Sequence, residues 1–114
     1  MELATTHHAD VTVLAIAGSV DSLTAETLTA ALVEQVGTGR VKLICDFSAV
    51  EYTSSAGLRS LLGALKESRR LGGDLRMASV QPAVLRVLSL SGFASIIKIF
   101  DDVPGAMSSY GAGV

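Results

Sequence analysis

Residues 41–59 read Val41-Lys42-Leu43-Ile44-Cys45-Asp46-Phe47-Ser48-Ala49-Val50-Glu51-Tyr52-Thr53-Ser54-Ser55-Ala56-Gly57-Leu58-Arg59. The first seven are β-branched-rich and almost continuously apolar, the pattern of a strand buried on both faces of a sheet. A short loop then leads into a helix that starts at Ser55 or close by. Leu58, Leu61, Leu62 and Leu65 recur at i, i+3, i+4 and i+7, while Arg59, Lys66, Arg69 and Arg70 fall largely off that stripe. Gly72-Gly73 stops the helix.

Outward from this segment the same alternation continues. Upstream, Val11–Gly18 reads as a central strand, residues 3–8 as an edge strand before it, and Ala25, Leu28, Leu32 and Val36 as one face of a helix over residues 24–36. Thr24 is the expected N-cap, with Thr27 where a capping box would want Glu or Gln, and Gly37-Thr38-Gly39 is the expected stop. Downstream, Leu75–Val80 reads as a strand, and Gln81-Pro82 opens a helix with inner face Val84, Val87 and Leu88. Ser91-Gly92-Phe93 closes that helix, Ile96–Phe100 is a last short strand, and Asp101-Asp102-Val103-Pro104 caps a terminal helix. Residues 110–114 are expected to fray. Strands alternating with helices demand crossover connections, so the class is α/β with a mostly parallel sheet of about four to five strands, an N-terminal edge strand and about four helices.

Composition bounds the function. The 114 residues are 49% hydrophobic and 18% charged with net charge −2, and mean hydropathy is +0.50. These values describe one compact domain over residues 1–114, with an ordered core of about 3–108, and argue against disorder. The chain lacks the Lys/Arg excess that a phosphate backbone requires, and only 4% of residues are aromatic, so nucleic acid is not an expected partner. No apolar run approaches the roughly 20 residues that span a bilayer, and the first eight residues lack a signal-peptide pattern. The expected location is the cytoplasm, without membrane insertion. Cys45, the single cysteine, reads as a small buried hydrophobe.

Catalytic and metal sets are thin. His7 and His8 are adjacent in a strand, so they point to opposite faces, and no other Cys or His completes a metal site. No phosphate-binding glycine loop occurs. The informative place is the strand-to-helix passage, where Ser54 and Ser55 stand at the carboxyl edge of the sheet, the edge at which open α/β folds bind ligands. On residue physics alone, the first reading of either serine is an N-cap worth about 1 kcal/mol. For Asp21, a turn or cap role and a place on a partner surface fit equally. Arg59 reads first as a solvated helix residue and second as a contact for a partner or phosphate, and Gly57 permits close backbone approach.

The pattern Asp46…Tyr52-Thr53-Ser54-Ser55-Ala56-Gly57-Leu58 resembles the signature of the STAS domain, specifically of the anti-sigma factor antagonists of bacterial partner switching. Gly18-Ser19-Val20-Asp21, leading into the first helix, resembles the family's Gly-x-x-Asp segment, and Pro82–Phe93 its third helix and following turn. All three stand in register, and the resemblance spans residues 3–108. It implies a non-enzymatic, cofactor-free regulator that binds a serine-protein kinase anti-sigma factor when unphosphorylated and is restored by a metal-dependent serine phosphatase. Family members typically read Asp-Ser-Ser/Thr-Gly-Leu, which sets the acceptor on Ser55, with Ser54 as fallback; Ser54 stands where Asp is usual and Ala56 where the second hydroxyl would be. The implied partner surface is Asp21, Ser54, Ser55, Ala56, Gly57 and Arg59. The alternative within the same fold is a STAS subunit that is never phosphorylated and serves a lipid or anion transporter as a structural partner.

Overall fold

The computed structural model describes residues 1–111. Five strands form one sheet in the order β1-β2-β3-β4-β5: β1 Glu2–His8, β2 Val11–Val20, β3 Lys42–Thr53, β4 Asp74–Ala78 and β5 Lys98–Phe100. Only the β1–β2 pair is antiparallel; the other three pairs are parallel. The connections carry α1 Thr24–Gly37, α2 Ser55–Arg70 and α3 Pro82–Leu90, the last followed by a single 3-10 turn at Phe93–Ser95. Because the parallel strands succeed one another in a constant direction, right-handed crossovers place all three helices on one face. Leu28 and Leu32 of α1, Leu61 and Leu65 of α2, and Val84 and Leu88 of α3 pack there against Leu14, Leu43, Cys45, Phe47, Leu75 and Met77. The helix α4, Val103–Ser109, covers the opposite face, where Ala106 meets Val11, Val13, Ile44 and Ala78.

Several boundaries differ from the sequence expectation, each for a local reason. The strand expected over 41–47 runs on to Thr53, so the expected loop is a continuation of β3. The register with β2 slips twice, with Ala15, Ala17 and Ser19 opposite Asp46, Ala49 and Tyr52. Three residues of β3 therefore match every two of β2, and burial falls on Phe47, Val50 and Thr53 instead of alternating. Val87, expected on the inner face of α3, is 38% exposed, because Val84 and Leu88 alone complete the four-residue stripe of this short helix. Residues 96–97 lie in the turn before β5, which begins at Lys98. β4 ends at Ala78 because Ser79 adopts a left-handed φ of +57°. Cys45 is fully buried, and burial, with the nearby Asp46 charge, pushes its thiol up to about 12.

The expected fraying also needs correction at its start. The Tyr110 hydroxyl donates to the Leu43 carbonyl at 3.0 Å, and the Arg76 guanidinium lies 3.8 Å from its ring centroid; residues 112–114 lie outside the described residues. Arg76 Nε donates to Asp74 Oδ2 at 3.0 Å, and Arg69 Nε donates to Asp74 Oδ1 at 2.8 Å. Arg69 also reaches the Ile96 carbonyl and Arg76 the Ser109 hydroxyl, so one carboxylate gathers α2, β4, the turn before β5 and α4. Burial pushes the Asp74 carboxyl up, but the two guanidiniums outweigh it and hold it below the ordinary carboxylate value. A lowered folded-state value means that this stability is present above the unfolded carboxylate value and is lost as pH falls through the folded one. Asp74→Asn is expected to cost about 2–3 kcal/mol at neutral pH and to flatten the stability decline below about pH 4, measured by urea unfolding across pH.

Candidate functional site

The carboxyl ends of β2 and β3 are adjacent, since Val20 pairs with Thr53. Beyond them the chain makes two sharp entries into helices. On the β3 side Ser54 is the hinge. Its N–H donates to the Val20 carbonyl at 2.8 Å, continuing the strand pairing, while its Oγ accepts from the Gly57 N–H at 3.2 Å and its carbonyl from the Leu58 N–H at 3.1 Å. Ser54 is thus the N-cap of α2. Ser55 is the first helical residue, exposed, and its hydroxyl has no hydrogen-bond partner among the described residues. The two serines divide the alternatives that the sequence left open: one holds the helix, and the other faces solvent.

Gly57 sets how closely α2 approaches the sheet. A Cβ there would lie 2.5 Å from Thr53 Oγ1 and 2.8 Å from Val20 Cγ1, so only a hydrogen fits. This is the close approach that the sequence assigned to it, and the neighbours are β2 and β3 of its own fold.

On the β2 side the expected N-cap Thr24 gives way to Asp21. Asp21 Oδ1 accepts from the Leu23 N–H at 3.0 Å and the Thr24 N–H at 2.9 Å, and the Thr24 hydroxyl accepts from the Asp21 N–H at 2.8 Å. This is a reciprocal capping pair across the turn that feeds α1, with Thr24 in the part usually taken by Glu or Gln. The Thr24 backbone and hydroxyl bonds hold the Asp21 carboxyl below its ordinary value. Asp21 therefore has a cap role and also lies at the same sheet edge as Ser55.

The helices α1 and α2 are tied together by Ser60, whose Oγ lies 2.6 Å from Thr29 Oγ1 and 3.1 Å from the Ala25 carbonyl. Between them runs an apolar groove of about 990 Å³, which Ala56 and Arg59 line on one wall and Ser22 and Glu26 on the other. Ala56 and Arg59 thus face the groove, while Ser55 and Asp21 lie outside its lining. Two residues that the sequence reading passed over flank the site: Leu23 is 83% exposed and Tyr52 52% exposed. The available signal was that Leu23 precedes the helical stripe; for Tyr52 the sequence held none, because its exposure follows from the three-residue burial period that the register slips impose on β3.

The sheet order never reverses among the described strands, so the crevice that a topological switch point opens in doubly wound folds does not form here. Ser55 stands exposed on the strand-to-helix surface at this edge. No group of three or more His, Cys, Asp or Glu among the described residues could hold a metal ion, and no described helix is long and apolar enough to cross a membrane.

This architecture is that of a small single-sheet α/β domain, and the sequence matches the STAS domain family over residues 2–106. The chain belongs to that family. It is 36% identical over 93 residues to a putative anti-sigma factor antagonist, BtrV, of Bordetella bronchiseptica, covering 82% of this chain and 80% of that protein. It is 34% identical over 108 residues to the anti-sigma-B factor antagonist of Listeria monocytogenes, covering 94% and 90%. A crystal structure of a putative anti-sigma factor antagonist from Thermotoga maritima superposes with a TM-score of 0.89 at 26% identity, over 94% of this chain and 92% of that one.

The geometry separates the three residues of the passage by stability. Gly57→Ala is expected to cost about 1–3 kcal/mol by overpacking against Val20 and Thr53. Ser54→Ala should cost about 1 kcal/mol through the lost cap, and Ser55→Ala less than about 0.5 kcal/mol. Chemical denaturation of the three variants checks the order.

Proposed function

We propose that this protein is a cytoplasmic, non-enzymatic anti-sigma factor antagonist. It binds a serine-protein kinase anti-sigma factor through the edge at Asp21, Ser54, Ser55, Ala56, Gly57 and Arg59. Phosphorylation at Ser55 releases it, and a metal-dependent serine phosphatase resets it. The observation that carries the reading is the division of labour at the α2 start. Ser54 is committed to the cap, so Ser55 is left exposed with a free hydroxyl at the first helical position. The names borne by the relatives support the same reading.

The switch is local electrostatics. A phosphate on Ser55 adds about −1.5 to −2 charge beside a helix N-terminus, which tolerates an anion, so the fold persists. The surface changes instead. A partner that packs against a neutral hydroxyl, with exposed Leu23 and Tyr52 nearby, would have to desolvate a dianion or meet it with Arg or Lys. Residues 1–39 already carry Glu2, Asp10, Asp21, Glu26 and Glu34 with no Lys or Arg, so the α1 side of the site supplies no side-chain cation to neutralise the phosphate.

Incubation with ATP and the serine kinases encoded in the same genome, read by intact mass, tests the proposal. The expected result is one added phosphate on the wild type and on Ser54→Ala, none on Ser55→Ala, and loss of kinase binding after modification. Absence of modification by every such kinase, or its persistence in Ser55→Ala, overturns the switch. Co-purification with a transporter in place of a kinase would favour the structural-subunit alternative.

A further inference from the structure

The longest unpaired backbone on the sheet is the outer side of β1, seven residues against three in β5 at the other edge. Proteins ordinarily guard such an edge with Lys, Pro, a bulge or a covering element. β1 has neither Lys nor Pro, its register with β2 is unbroken from Glu2↔Ala17 to His8↔Val11, and every residue except Leu3 is exposed.

The hairpin fixes which backbone groups face outward. β1 and β2 are joined by the two-residue turn Ala9-Asp10, so the flanking residues His8 and Val11 form a hydrogen-bonded pair. Alternation then directs the N–H and C=O of Glu2, Ala4, Thr6 and His8 toward β2, and those of Leu3, Thr5 and His7 away from the sheet.

We propose that this chain forms a symmetric homodimer by pairing β1 antiparallel with β1 of a second copy, with the twofold axis at Thr5. In that register Thr5 faces Thr5, and Leu3 faces His7, so all the outward backbone groups of the three odd-numbered residues are paired. The even-numbered residues fall in the non-hydrogen-bonded positions, where side chains come closest. There Ala4 faces Thr6 and Glu2 faces His8, twice over by symmetry.

The Glu2–His8 match is the charge complementarity that selects a second copy as the occupant. His8 Nε2 lies 3.1 Å from Thr6 Oγ1; in the tautomer in which Nε2 accepts from the Thr6 hydroxyl, Nδ1–H is free to donate to the carboxylate of Glu2 across the axis. Neighbouring registers lose it. An axis at Ala4 sets Glu2 against Thr6 and leaves His8 unpaired, and an axis at Thr6 sets His8 against Ala4. Pairing of one strand edge buries less than the roughly 1,000 Å² of a stable interface, so the dimer is a reversible one with Kd of about 10–100 μM.

Sedimentation velocity from about 1 μM to about 1 mM reads the equilibrium, and the expected wild-type result is a concentration-dependent shift from monomer to dimer. Thr5→Pro removes only an outward N–H, which an edge strand tolerates, and should leave a monomer with an unchanged circular dichroism spectrum. Glu2→Lys and His8→Glu should each weaken dimerisation about tenfold, and the double variant should restore it; this pair decides the matter if the proline variant misfolds. A wild type that stays monomeric to about 1 mM, a dimer indifferent to a folded Thr5→Pro, or no rescue by the double variant overturns the proposal.

Discussion

The junction of Val20, Thr53 and Gly57 is the constraint on which the geometry of the Ser55 edge depends. The Val20–Thr53 pair ends the β2–β3 ladder, the Ser54 N–H extends it by one bond to the Val20 carbonyl, and α2 then leaves at once. A helix that starts one residue after its strand has no loop to absorb misfit. The contact between Gly57 and the two strands must therefore be close, and the room there is smaller than a methyl group. This fixes the axis of α2, and with it the position of Ser55 and the direction in which its hydroxyl looks.

The second anchor works from the opposite end of the sheet. Asp74, at the start of β4, balances two guanidiniums, one from the end of α2 and one from its own strand. The first turn of α2 is held by Ser54 and Gly57 and its last turn by Arg69. Leu61 and Leu65 between them are fully enclosed, each burial contributing about 1.5–3 kcal/mol. The helix that presents Ser55 is thus restrained at both ends and along its inner face, so a charge added at its exposed N-terminus is felt by an incoming partner before it is felt by the core.

Most of this architecture was legible because period and punctuation agreed. The leucine stripe of α2, the Gly72-Gly73 stop, Pro82 at the start of α3 and Asp102 before α4 each stand where the sequence set them. The misreadings fall where one local signal competed with another. Residues 48–53 looked like a loop because two register slips against β2 turn the period of β3 from two to three, which no alternation test detects. Thr24 looked like a cap because it precedes an apolar periodicity, whereas Asp21 three residues earlier takes the bonds and Thr24 answers it. Of the site, the serine pair and its edge were legible. The assignment of cap to Ser54 and exposure to Ser55 was not, because both residues are good caps and a shift of one residue in the helix start exchanges their roles.

That one-residue distinction has a physical consequence for control. An N-cap hydroxyl accepts a bond from the helix, so modifying it would rearrange the cap in the same step that adds the charge, coupling the signal to the local structure of the helix start. A hydroxyl at the first helical position has no such duty, and the charge can be added while the cap at Ser54 stays in place. The absence of a strand-order reversal among the described strands acts in the same direction, because it leaves this edge without a switch-point crevice, so a residue modified here under the proposed switch would meet a partner directly. With a net charge of only −2 on 114 residues, a single dianion is then a large local change on a nearly neutral background. A neutral first position beside a separate cap is therefore what allows charge and stability to be set independently.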